Sequence, residues 1–287
     1  MPAALAHALI LRRLRAPRLA HHQTPAELGL PAEPLRLAGA GGKSLFGWFV
    51  PGPGRGAAGD DASAVTGASA PAVVLMHGWG ANAALMLPAV PPLHEAGFAV
   101  LLLDARCHGS SDDEDFTSMP RFAEDITTGL DWLRAQPGID RSRLALVGHS
   151  VGAAAALLCA TQRDDVRAVV SLSAFAHPAE LMRRWLAEKR LPWWPLGWAV
   201  TRHVQRIIGA RFDDIAPLAT LPRVRCPVLL VHGLDDDTAP FTDAERLRAA
   251  SAGRAELIAV QAGHDLGQAL GPHAPAIVGF LRQSLLR

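Results

Sequence analysis

The chain has 287 residues, 49% of them hydrophobic and 19% charged, with a formal net charge of +1, which is the make-up of a globule with a large core. A balance this even gives no basic excess to draw nucleic acid, so nucleic acid is not an expected partner. Cys107, Cys159 and Cys226 are odd in number and lack metal-ligand spacing; this argues against a disulfide framework or a metal site and fits a reducing, cytoplasmic location.

Met1 to Arg18 carries a short apolar stretch followed by Arg12, Arg13, Arg15 and Arg18, the wrong order for a secretory signal. Ala3 to Leu14 reads as a short terminal helix, packed or frayed rather than lying on a membrane. No stretch is long and apolar enough to span a bilayer, so integral membrane association is not expected. Pro34 to Ala38 and Ser44 to Val50 alternate apolar and polar residues around Gly39-Ala40-Gly41-Gly42, which predicts an antiparallel hairpin at a sheet edge. Gly41-Gly42-Lys43-Ser44 is no phosphate loop, because the required first glycine falls at Leu37 and no long helix follows. Pro51 to Ala70, rich in Gly, Pro, Ala and Asp without periodicity, reads as a surface loop.

From Pro71 onward short apolar runs alternate with helical stretches. Strands are predicted at Ala72 to Met76, Phe98 to Leu103, Arg143 to Val147, Val166 to Leu172, Pro227 to Val231 and Ala255 to Val260. Helices are predicted at Ala83 to Ala96, Pro120 to Gln136, Val151 to Gln162, Phe241 to Ala252 and Pro272 to Leu286. Strands that are apolar on both faces and separated by helices imply a mostly parallel sheet covered on both sides, an α/β fold. His177 to Arg225 breaks the rhythm. It is too long for a crossover helix and holds Trp185, Trp193, Trp194 and Trp198, so residues 177–225 read as a helical cap inserted in a single domain over 1–287.

Gly148-His149-Ser150-Val151-Gly152 sits between an apolar strand and an apolar helix. A serine at that turn takes a strained backbone and presents its hydroxyl above the sheet edge, the arrangement of a nucleophile elbow. His77-Gly78-Trp79-Gly80 follows the first core strand, where the N–H of Trp79 can join that of Val151 in holding an oxyanion. Among His77, His108, His149, His232, His264 and His273, only His264 ends a loop after the last strand, where the order nucleophile, acid, base places the base. The loop His232 to Pro240 offers Asp235, Asp236 and Asp237 as acids.

At this point the sequence resembles the α/β-hydrolase superfamily, whose acid loop reads H-G-x-x-D-x-x-V-P. The resemblance implies Asp236 as the acid, with Ala239 in place of valine. Asp104-Ala105-Arg106-Cys107-His108-Gly109-Ser110-Ser111 is similar to the D-x-R-G-H-G-x-S segment of the serine-aminopeptidase-like and monoacylglycerol-lipase-like branch, with Cys107 where that pattern has glycine. Asp104 and Arg106 are expected to fix that loop. The resemblance covers Leu35 to Leu285.

The expected function is a serine hydrolase that cleaves a small-molecule carboxylic ester through an acyl-enzyme on Ser150, without cofactor or metal. Trp193 and Trp194, bracketed by Pro192 and Pro195, are the cap residues expected to face substrate. An aminopeptidase-like or amide hydrolase is the alternative on the same residues, with Glu180, Glu188, Asp213 or Asp214 binding a substrate amine. A non-catalytic ligand-binding protein of the same fold is the alternative from another class. A halide- or epoxide-cleaving relative would carry an aspartate where Ser150 stands.

Overall fold

A computed structural model describes residues 2–53 and 69–285. The expected surface loop at 51–70 lies for the most part outside the described residues. Helix α1 (Pro2–Arg13) opens the chain, and an extended strap over residues 14–22 leads to the hairpin of β1 (Glu33–Ala38) and β2 (Ser44–Val50). The core continues through β3 (Ala70–Met76), α2 (Val90–Glu95), β4 (Ala99–Leu103), α3 (Met119–Ala135), β5 (Ile139–His149), α4 (Val151–Gln162) and β6 (Val166–Leu172). Residues 177–225 then hold α5 (Pro178–Glu188), α6 (Trp198–Ile208), α7 (Phe212–Ile215) and α8 (Pro217–Thr220), after which come β7 (Val228–Gly233), α9 (Phe241–Ala250), β8 (Ala255–Val260) and α10 (Gly267–Leu285).

The eight strands form one sheet in the order β1-β2-β4-β3-β5-β6-β7-β8. β1 and β2 are antiparallel to their neighbours, as the hairpin pattern implied, and β4, β3, β5, β6, β7 and β8 run parallel. Side chains alternate across a strand, so one sequence feeds two cores. Ala72, Val74 and Met76 of β3, with Leu101 and Leu103 of β4 and Leu144 and Leu146 of β5, pack under α3 and α4. Val73, Leu75, Val100, Leu102, Ala145 and Val147 pack under Met86, Leu87, Leu93, Ile277 and Phe280 from the opposite layer. At roughly 25 cal/mol for each Å² buried, these two layers are the main stabilising term.

Two predicted helices need correction. The stretch 83–96 is not one helix: it is a 3-10 segment, Ala83–Ala89, containing Pro88, followed by α2, whose first turn holds Pro91 and Pro92. Three prolines in five residues remove N–H donors and break a continuous ladder. α10 begins at Gly267, five residues ahead of Pro272, because the Leu270 N–H already bonds the carbonyl of Leu266. The predicted strand at 143–147 is likewise the middle of a longer one.

Strand β3 pairs with β4 on one side and β5 on the other, so the chain reverses direction of winding there. In open parallel sheets a crevice opens beyond the carboxyl ends of the strands at such a switch. The loops after β3, β5, β7 and β8 carry all the residues expected to do chemistry.

Candidate active site

Ser150 sits at φ 53°, ψ −114°, between the end of β5 and the start of α4. Few side chains tolerate that backbone, and the surroundings enforce it. A Cβ at Gly148 would collide with the carbonyl of Gly152, and one at Gly152 with the carbonyl of His77. The Ser150 N–H is tied to the Leu172 carbonyl on β6 at 2.8 Å. The hydroxyl is thereby held at a fixed height above the sheet.

The Ser150 hydroxyl donates to Nε2 of His264 at 2.9 Å. On the other side of the ring, Nδ1–H of His264 donates to Asp236, 2.8 Å from Oδ2 and 3.0 Å from Oδ1. Asp236 is buried and also accepts the N–H groups of Thr238 and Ala239 at 3.0 and 2.7 Å. Burial opposes its ionised form, but hydrogen bonds from His232, His264 and the Ala239 N–H outweigh that and hold its carboxyl well below the usual carboxylate range. Asp235 and Asp237 are exposed and engage Gln261 and Thr238 instead. Of the three adjacent acids, Asp236 is the one the loop turns inward.

Four other histidines hold loops in place, while His273 lies within α10. His232 donates from Nε2 to the Ala239 carbonyl at 2.6 Å, bracing the acid loop. His149 donates from Nε2 to the His264 carbonyl at 2.9 Å, fixing the base from below, and burial pushes its pKa down. His77 donates from Nδ1 to the Gly78 carbonyl and accepts the Ala105 N–H at Nε2, and burial together with the nearby His108 lowers its pKa to about 3. His108 accepts the Gly80 N–H at Nε2. That last bond orients the loop carrying Trp79, and only the motif position of His108 signals it in the sequence.

A Cβ at Gly78 would stand 3.2 Å from the Ser150 Cβ, so the loop after β3 lies directly against the serine. The N–H of Val151 is the first of α4 and has no carbonyl behind it within the helix. Neither it nor the N–H of Trp79 is taken up by another hydrogen bond among the described residues. Trp193 packs beside Gly197 and under Arg183. Trp194 is non-helical, in the bend expected between helices, and its ring contact is with Trp198.

The loop after β4 is locked as expected. Asp104 accepts the N–H groups of Ala83 and Ser110 and pairs with His21, while Arg106 is bound by Asp125, Glu114 and Glu124. The strap over residues 14–22 crosses this loop, with Arg18 donating to the carbonyls of Gly109 and Ser111 and Asn82 donating to those of Leu19 and Ala20. Cys107 has φ 67°, the left-handed region that explains the glycine of the related pattern. Burial pushes its thiol pKa up, which makes it an inert cysteine. Cys107→Gly is expected to change the unfolding free energy by less than about 1 kcal/mol, relief of backbone strain offsetting lost burial. Cys107→Val, β-branched at positive φ, is expected to cost more than about 2 kcal/mol. Urea unfolding separates the two, and a glycine variant weaker than the valine variant contradicts the strain argument.

Of the carboxylates considered for a substrate amine, Glu180 is paired with Arg246, Asp213 with His177 and Arg211, and Asp214 with Arg211. Among the described residues no group of three His, Cys, Asp or Glu side chains could hold a metal ion.

Comparison with known proteins places the chain among hydrolases. The family model for serine aminopeptidases of the S33 type matches residues 67–221. An uncharacterized protein of Mycobacterium tuberculosis is 31% identical over 211 residues, 74% of this chain and 64% of the relative, so the chain spans somewhat under two thirds of that relative's length. An uncharacterized protein of Bacillus subtilis is 30% identical over 61% of this chain and 58% of its own. Among solved structures, an esterase of Pyrococcus furiosus superposes with a TM-score of 0.72 at 19% identity, covering 94% of this chain and 99% of that one. An α/β hydrolase from a Penicillium species gives 0.67 at 18% identity over 90% and 100%. Likeness at this level of identity over nearly the whole of both chains shows the α/β-hydrolase fold.

Proposed function

The chain belongs to the serine aminopeptidase (S33) family of hydrolases, and from that premise we propose that it is a serine hydrolase cleaving a small-molecule carboxylic ester. The observation that carries this reading is the unbroken line from Ser150 Oγ through both nitrogens of His264 to Asp236. His264 Nε2 accepts the serine proton as Oγ attacks the acyl carbon, and Asp236 keeps the proton on Nδ1 and stabilises the imidazolium that forms. The N–H groups of Trp79 and Val151 take the developing oxyanion. His264 then gives its proton to the departing alcohol, leaving an acyl-serine. Water, deprotonated by the same imidazole, releases the acid and restores the hydroxyl.

An ester is favoured over an amide or peptide because three of the carboxylates that might have held an amine are already ion-paired, and because the neighbour from Pyrococcus furiosus is an esterase. A cytoplasmic location is proposed with it, from the three unpaired cysteines. Residues 177–225 are proposed as the cap over the acyl site, with Trp193, the less exposed of the two tryptophans expected there, setting the length of acyl chain accepted. Turnover of aryl esters of increasing chain length tests both points. Appreciable turnover is expected, with the preferred length shifted when Trp193 is replaced by Ala. Hydrolysis of aminoacyl anilides with no ester turnover would replace the ester by an amide, and an unchanged preference would make Trp193 structural.

A further inference from the structure

The end of α5, the start of α6 and the segment joining them leave most of their large apolar side chains in solvent. Trp194 is 70% exposed, and Trp185, Leu191, Leu196 and Trp198 lie between 41% and 47%. The rings of Trp194 and Trp198 are 5.5 Å apart, Arg202 stands 5.7 Å from the Trp198 ring, and Arg183 stands 5.7 Å from that of Trp193. From Arg183 to Arg206 the basic residues are Arg183, Arg184, Lys189, Arg190, Arg202 and Arg206, against Glu188 alone, in a chain whose net charge is +1. Arg184 is bound to Asp243. The other five are exposed, and none is ion-paired among the described residues. Apolar area of this kind left in water on an otherwise well-packed molecule marks a contact surface.

We propose that this tip docks the protein peripherally on a membrane surface carrying anionic lipids. Tryptophan favours the headgroup level, where the ring is half in hydrocarbon and its N–H meets phosphate and carbonyl oxygens. The indole N–H groups of Trp185, Trp194 and Trp198 have no hydrogen-bond partner among the described residues, so this environment supplies one. Five unpaired cations between positions 183 and 206, two of them beside indole rings, match the negative charge of such a surface, each worth roughly a fivefold gain in partitioning. A second copy of this chain is a poorer occupant, since it would set two strongly basic tips against each other. The mode is surface contact: no helix among the described residues is long and apolar enough to cross a membrane. The inference does not depend on the chemistry assigned to Ser150.

Flotation of the full chain with vesicles tests it. The protein is expected to float with vesicles of equal parts phosphatidylcholine and phosphatidylglycerol, to stay down with phosphatidylcholine alone, and to be released by about 0.5 M salt. The pair Trp194→Ser with Trp198→Ser, and separately the pair Arg202→Gln with Arg206→Gln, are each expected to lower partitioning at least tenfold, roughly. The pair Arg36→Gln with Arg225→Gln removes the same charge away from the tip and is expected to leave it unchanged. Unaltered melting temperatures establish that the variants are folded. Equal partitioning onto neutral and anionic vesicles, or an equal loss in the control pair, overturns the proposal. Absence of flotation also overturns it and assigns the tip to a protein partner.

Discussion

Ser150→Ala and His264→Ala are each expected to lose at least about 10⁴-fold in kcat/KM for an activated aryl ester, some 5 kcal/mol of transition-state stabilisation. Alanine at 150 leaves the elbow glycines and the β6 contact in place, so stability is expected to move by less than about 1 kcal/mol. The double variant is expected to be hardly worse than either single one, since neither residue activates anything without the other. Near-native turnover in either variant would remove Ser150 and His264 from the reaction.

Asp236→Asn is expected to cost about 10⁴-fold in kcat while the protein stays folded. The carboxylate accepts from His264 on one flank and from two backbone N–H groups on the other. An amide has only one accepting oxygen. If the backbone N–H groups keep it, the NH₂ faces His264 and forces the ring into the tautomer whose Nε2 carries the proton, and that nitrogen can no longer accept from Ser150. Asp235→Asn and Asp237→Asn, whose side chains are exposed and turned away, are expected to change kcat by less than about threefold. Steady-state kinetics on the three variants decides it; a larger loss in Asp235→Asn than in Asp236→Asn would shift the acid by one residue.

Much of this was legible in the sequence because the signals are local. The β6 run 166–172 and the α4 run 151–162 match their predicted bounds to the residue, each being a single apolar block closed by polar residues. The acid loop fixes its own choice through short-range bonds from residues 238 and 239. What the sequence hid is non-local. Arg18 reaches the carbonyls of residues 109 and 111, and His21 reaches Asp104; no periodicity in residues 14–22 marks a strap that braces loops some ninety positions away. The bond from His149 to the His264 carbonyl is of the same kind. The 83–96 stretch departs from one helix for a local reason, since Pro88, Pro91 and Pro92 interrupt the apolar helical period that runs through it.

The most direct test of the account is labelling with a fluorophosphonate, located by peptide mapping. Such a probe reacts with a serine only when a neighbouring base has made it nucleophilic and an oxyanion site accepts the phosphoryl oxygen. One adduct per chain is expected, on Ser150, absent in Ser150→Ala and strongly slowed in His264→Ala and Asp236→Asn. A folded protein that takes no label, or that takes it elsewhere with Ser150 untouched, would contradict the account and leave the fold a binding scaffold.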